Sequence, residues 1–165
     1  MKFMIITACL FMAAFAAQAQ TTNTAVTEHD TAVKAKDDQV KTEIIDPARH
    51  AASPGDPDWD AIQKQVTAKY DAVTADRTVT KAKIYYYYAK DKTIFCTNIV
   101  HFTNNFELAN DYKLLNLNAG MILQSDDKPA ELKEALRWAK AAAAGDPGNP
   151  AYAQTVDALQ QKLGQ

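Results

Sequence analysis

The sequence predicts an all-α protein of three antiparallel helical hairpins, about six helices, preceded by a disordered N-terminal arm. Three observations carry this expectation. From Trp59 onward, apolar residues recur every three or four positions, the period of one helix face. Boundary residues punctuate the chain, as where Gly145 ends one helix, Asp146-Pro147 turns the chain and Pro150 begins the next. The stretches pair at 57–90, 92–124 and 129–163, a spacing of roughly 34 residues that is the period of helical solenoids. The 165 residues suffice for one domain plus extras.

The opening MKFMIITACLFMAAFAAQA has the layout of a secretory signal peptide. Lys2 is its charged end and Phe3 to Ala16 its apolar stretch. Ala17-Gln18-Ala19 supplies the small residues of a cleavage site, so the mature chain is expected to begin at Gln20. The apolar run is shorter than the roughly 20 residues a membrane span needs. The expected location is periplasmic or secreted, with no stable membrane insertion after cleavage. Losing Lys2 moves the formal net charge from −2 to −3. That is too weak to steer the chain toward nucleic acid or an anionic membrane. Of the two cysteines, Cys9 leaves with the signal, and Cys96 can then form no intrachain disulfide. The domain must stand on its hydrophobic core.

Residues 20–56 hold few large apolar side chains and no aromatics, ending in SPGDP. Such a composition predicts a disordered tether with transient helix. Val26, Val33 and Val40 lie seven apart, which leaves a docking helix as the sharper alternative. A coiled coil, however, needs a second apolar position per heptad, and here it falls on His29 or Asp30 and on Lys36 or Asp37.

In DPDWDAIQKQVTAKYDAV, Asp56 is the expected N-cap and Pro57 the first helical residue. Trp59, Ile62, Val66, Tyr70 and Val73 form its apolar face. A second helix is expected from Thr74 or Asp76 through DRTVTKAKIYYYYAK. Successive helix residues turn about 100°, so Tyr85 to Tyr88 cannot share a face. Projection gathers Ala75, Val79, Ala82, Tyr85, Tyr86 and Ala89 on one side, and Ile84 with Tyr88 roughly opposite. A helix apolar on two sides is usually sandwiched between neighbours. Tyr87 is left between the patches with Lys83, Thr80 and Lys90, and is expected to be exposed, as part of a partner-binding surface. In the second hairpin Phe95, Ile99 and Phe102 make a stripe flanked by Cys96. Leu108, Leu115, Ala119 and Ile122 point inward in the helix that follows, where Gly120 suggests close packing. The third hairpin opens with Asp126, Asp127 and Pro129 and runs through Leu132, Ala135, Leu136 and Ala139. Gly145 is its expected C′ residue. The chain turns at Asp146-Pro147 and restarts at Pro150, with Tyr152, Val156, Leu159 and Leu163 on one face.

The stretch EALRWAKAAAAGDPGNPAYAQTVDALQQKLG, residues 134–164, resembles a tetratricopeptide (TPR) repeat boundary. Ala135 and Ala142 match the small residues seven apart in the second helix of such a repeat, and Asp146-Pro147 matches its closing turn. Tyr152 and Val156 fall near the aromatic and aliphatic positions of the next helix, the tyrosine one place early. The resemblance implies a TPR-like right-handed stack. Over roughly 58–163 the chain is also similar to the helical region that follows the thioredoxin domain in some secreted bacterial thioredoxin-like proteins. No thioredoxin domain and no CxxC accompany it here, so disulfide chemistry is not implied.

Residue types that could carry chemistry have structural readings in this sequence. A nucleophilic Cys96 needs a base in reach and a lowered pKa, but His101 lies five residues on, near the opposite side of the helix. His29, His50 and His101 share no metal spacing. Asp126-Asp127, Glu131 and Glu134 stand where a helix start favours acids. The lysine–tyrosine run 81–92 lacks the basic groove of single-strand binders. No Gly-rich phosphate loop and no G-x-S-x-G occur. The expectation is a monomeric, non-enzymatic module without cofactor or metal that binds a protein partner in the cell envelope. The alternative is an accessory helical part of a thioredoxin-like thiol-redox system.

Overall fold

The computed structural model describes residues 30–125 and 128–164, and these are all-α, with no strand among the described residues. The chain divides into two compact units, Met1–Glu43 and Ile44–Gln165. Within the first, residues 30–40 form α1, followed by a π-helical turn at Lys41–Ile45. The second unit begins inside that turn. It continues with α2 (Asp46–Ala52), α3 (Trp59–Lys69), α4 (Ala72–Tyr87), α5 (Lys92–Phe106), α6 (Tyr112–Ser125), α7 (Pro129–Gly145) and α8 (Pro150–Lys162).

The expected tether over 20–56 is corrected for residues 30–52, which are helical; residues 20–29 lie outside the described residues. Alanine is the best helix former, and it recurs at 32, 35, 48, 51 and 52. The segment also carries the apolar side chains a helix needs: Val40, Ile44 and Ile45 are all buried. The valine spacing pointed this way, since Ile44 follows Val40 by one helical turn.

Aspartates set the helix starts, because a side-chain oxygen can accept an N–H that has no partner in the first turn. Asp58 accepts from Ala61 N at 2.9 Å, Asp71 from Thr74 N at 2.6 Å, Asp91 from Ile94 N at 2.9 Å and Asp111 from Leu114 N at 3.0 Å. Asn149 does the same for α8, with Pro150 in its first turn. These caps correct two expected boundaries. Asp58, not Asp56, caps α3, and Asp71 caps α4 ahead of Thr74 and Asp76. Val73 therefore belongs to α4, where it is exposed. The first residue of α7 is Pro129, with Lys128 at the cap position and no side-chain cap bond; Asp126 and Asp127 lie outside the described residues.

Each helix from α3 to α8 packs on the next, and α5 also meets α7 and α6 meets α8. The expected hairpins are thus present as α3–α4, α5–α6 and α7–α8. The core is built from Trp59, Ile62 and Val66 of α3, Ala75 and Val79 of α4, and Phe95, Cys96 and Ile99 of α5. Leu115, Ala119 and Ile122 of α6 continue it, with Leu132, Ala135, Leu136, Trp138, Ala139 and Ala142 of α7 and Tyr152 and Leu159 of α8. Leu108, expected inward, sits exposed in the α5–α6 loop. Contact between α5 and α6 is sparser than between α4 and α5 or α6 and α7. That unevenness opens a groove on the α4–α5–α6 side.

Candidate functional site

Helix α4 is flanked by α3 and α5, as its two-sided pattern predicted, but its phase differs from the projection. Its buried residues are Thr74, Ala75, Thr78, Val79, Thr80 and Tyr87. The threonines enter the interior because their hydroxyls are satisfied locally. Thr78 Oγ1 donates to Thr74 O at 2.8 Å, and Thr74 Oγ1 to Asp71 Oδ2 at 2.8 Å. An apolar-only projection cannot see them. Tyr87 shares the Thr80 side and is only 8% exposed. Its hydroxyl accepts the Trp59 indole N–H at 3.1 Å. The expectation that Tyr87 lies on an exposed partner-binding surface is therefore corrected.

Tyr86 lies edge-on to Trp59, with ring centroids 5.5 Å apart. Its hydroxyl donates to Asp56 Oδ1 at 2.8 Å. The Arg49 guanidinium sits 5.5 Å from the Tyr86 ring centroid and the Lys90 ammonium 3.9 Å from it. These contacts account for Tyr86 as a structural joint between α2, α3 and α4.

Tyr85 and Tyr88 are the exposed members of the run, at 71% and 64%. Both edge a groove of about 690 Å³. From α4 it takes Lys81, Ile84 and Tyr85, with Tyr88 at its C-cap; from α5, Phe95, Ile99, Phe102 and Thr103. Helix α6 contributes Leu114, Leu117, Asn118 and Met121, and Glu107 closes the end beside the α5–α6 loop. The Tyr88 ring lies edge-on to Phe95 at 5.2 Å. Deeper in, Asn118 Nδ2 donates to Thr103 Oγ1 at 2.9 Å, both side chains being buried. Apart from these and from Lys81 and Glu107 the walls are apolar, and Leu117 is 51% exposed.

Two charged residues line this groove, Lys81 and Glu107. Lys81 is exposed and Glu107 half-buried. Burial pushes the Glu107 carboxyl above its ordinary range, the Asp111 charge adds to that push, and Lys81 opposes it. Sequence reasoning missed the groove because it assigned one inward face to α6. Leu114, Leu117 and Met121 form a second stripe, three and four apart, that was there to be read.

The other sequence candidates are dispersed. Cys96 is fully buried, at 0%. His101 faces Asp76 instead, with its Nε2 2.9 Å from both carboxylate oxygens, and His50 Nδ1 is 2.7 Å from Asp46 O. Glu134 pairs with Arg137 at 2.8 Å. This hydrogen bond draws its carboxyl below the ordinary range, and Asn104 adds to the effect. Among the described residues no three His, Cys, Asp or Glu side chains gather as metal ligands, and no helix is long and apolar enough to cross a membrane. His29 and the cleavage residues Ala17, Ala19 and Gln20 lie outside the described residues. Comparison with protein-family models finds no match, and comparison with curated proteins and with solved structures finds none that is significant.

Proposed function

We propose that this chain is a non-enzymatic, exported helical-repeat module that binds a protein partner in the cell envelope, through the groove between α4, α5 and α6. The observation that carries the reading is the open apolar wall: Tyr85, Tyr88 and Leu117 stand exposed around a cavity large enough for several side chains. Apolar surface kept in water at one place is a mark of an interaction site, and tyrosine on a rigid helix contributes contact area at low entropic cost. Export rests on the N-terminal sequence ending at Ala17-Gln18-Ala19, and the repeat character on the resemblance at 134–164. The thiol-redox reading has no comparable support, since Cys96 is buried away from any partner's disulfide.

The test is recovery of binding proteins from an envelope extract with the wild-type chain and with a Tyr85→Ser/Tyr88→Ser double variant. Both rings are exposed, so the variant is expected to keep its unfolding midpoint while losing the specific partner. Equal recovery by both chains would overturn the groove as the binding site.

A further inference from the structure

Resting on that reading, we infer that the groove's partner is a basic amphipathic helix, which lays its apolar face between α4 and α6 and sets a lysine or arginine against Glu107.

The shape of the apolar surface selects a helix over a small molecule. Tyr85, Tyr88 and Leu117 line the groove yet keep half or more of their surface in water, and Leu108 on the adjoining loop is exposed as well. A small ligand held inside would leave those faces in water. A helix with apolar residues at i, i+3, i+4 and i+7 would cover cavity and rim together, a recurring mode of peptide recognition.

Charge sets the sign of the partner. Glu107 is half-buried on an apolar wall, yet among the described residues its carboxyl accepts no hydrogen bond and has no cation within 4 Å. A carboxylate in such a place loses hydration, and the Lys81 charge, not in ion-pair contact with it, offsets only part of that loss. Asp111, four residues on, is a second acid beside it and raises the local negative potential. Docking a partner would strip more water from Glu107, so an apolar or acidic helix would increase the penalty. A lysine or arginine would remove it and gain a charge-assisted bond. Tyr85 and Tyr88, exposed at the groove's edge, offer aromatic surface to which a cation is attracted. Lys81 does not reverse this argument. It is exposed, stays hydrated, and can swing away on its flexible stem.

The experiment uses the mature chain and three fluorescein-labelled synthetic helices of about five turns. The first carries leucines at i, i+3, i+4 and i+7 with lysines elsewhere. The second keeps the leucine pattern with glutamates for lysines. The third holds the lysine peptide's composition with leucines spread around the helix. Fluorescence anisotropy is expected to show the patterned lysine helix binding at least about tenfold more tightly than either other peptide. Glu107→Gln should remove the preference for lysine over glutamate, by weakening the lysine peptide and relieving the repulsion of the glutamate peptide. Tyr88→Ser/Leu117→Ser should weaken both patterned peptides. Equal affinity for the lysine and glutamate helices, or a lysine preference that survives Glu107→Gln, overturns the charge inference and leaves the groove reading standing. Equal binding of the scrambled peptide overturns it as simple electrostatic adsorption. Displacement by butylammonium at micromolar concentration overturns it in favour of a small-cation site. Binding of no peptide at all overturns the inference, while the double tyrosine variant in the extract experiment judges the groove reading independently.

Discussion

A single buried acceptor ties the first hairpin together: the Tyr87 hydroxyl takes the Trp59 indole N–H at 3.1 Å. Tyr87→Phe keeps the ring and deletes only that acceptor. It should cost about 1–3 kcal/mol, because the indole N–H stays buried without a partner. Tyr85→Phe, two residues away and exposed, should stay within about 0.5 kcal/mol in the same urea titration. Equal effects would mean that α4 is rotated so that Tyr85 and Tyr87 are equally buried. Four consecutive tyrosines could not reveal this order by themselves. The deciding residues are Thr74, Thr78 and Thr80, polar by type but buried in fact, each with its hydroxyl bonded three or four residues back in the chain. Cys96 was legible, since it flanks the Phe95–Ile99 stripe and is buried with it. Glu107 was not, because its role depends on which helices fail to cover it. With its carboxyl pKa raised in the folded state, its contribution is fully present below the unfolded value. That contribution is lost as pH rises through the folded value. Glu107→Gln should therefore be more stable than the wild type at neutral pH and equal to it in acid. A constant difference across a urea-midpoint series from acid to neutral pH would show that ionisation is not the cause.

At the scale of the element, two features separate what the pattern told from what it withheld. Helices α7 and α8 follow their apolar spacing closely, because one side of each is packed and the other wet, the condition under which a 3.6-residue period is informative. The segment 30–52 has few apolar residues and only a thin valine spacing for a signal, yet Ile44 and Ile45 are among its most buried side chains. Two adjacent isoleucines carry no period at all. Ile45→Ala should cost on the order of 2–5 kcal/mol, as large-to-small changes at packed sites do, read as a fall in the unfolding midpoint. A near-zero cost would return this segment to the status of a tether. Gly120 shows the opposite error. Close packing was its expected reason, but a Cβ built there meets nothing within 4 Å. Interior glycine then only loosens α6. Gly120→Ala should stabilise the protein by about 0.5–1 kcal/mol, and a loss of stability in the same measurement would mean that the position faces a neighbour after all.

Across the whole helical unit, side chains reach past adjacent helices and close the stack. Asn104 Oδ1 of α5 accepts from Arg137 Nη2 at 2.7 Å and from Trp138 Nε1 at 3.0 Å, both on α7. Lys162 donates to the Leu123 carbonyl at 2.8 Å, joining α8 to α6. Stability in such an arrangement is close to a sum of neighbour interfaces, so the joint between the second and third hairpins can be tested by itself. Gly145 ends α7 with its Cα against the Tyr112 ring at the start of α6; a Cβ there would lie 2.0 Å from the ring carbon that bears the hydroxyl. The sequence marked this glycine as a left-handed helix stop. The structure keeps it helical, with the only positive-φ glycine among the described residues at Gly164, so the requirement is space for tyrosine. Gly145→Ala should cost about 1–3 kcal/mol, as overpacking does, because Tyr112 must leave its place between α6 and α7. In a Tyr112→Ala background the same change should cost nothing or stabilise slightly, since alanine is the better helix residue once the ring is gone. Chemical denaturation of the four proteins measures the coupling directly. If Gly145→Ala costs the same with and without the ring, the glycine serves the α7–α8 turn, and the joint between the hairpins does not depend on the fit of Tyr112 against it.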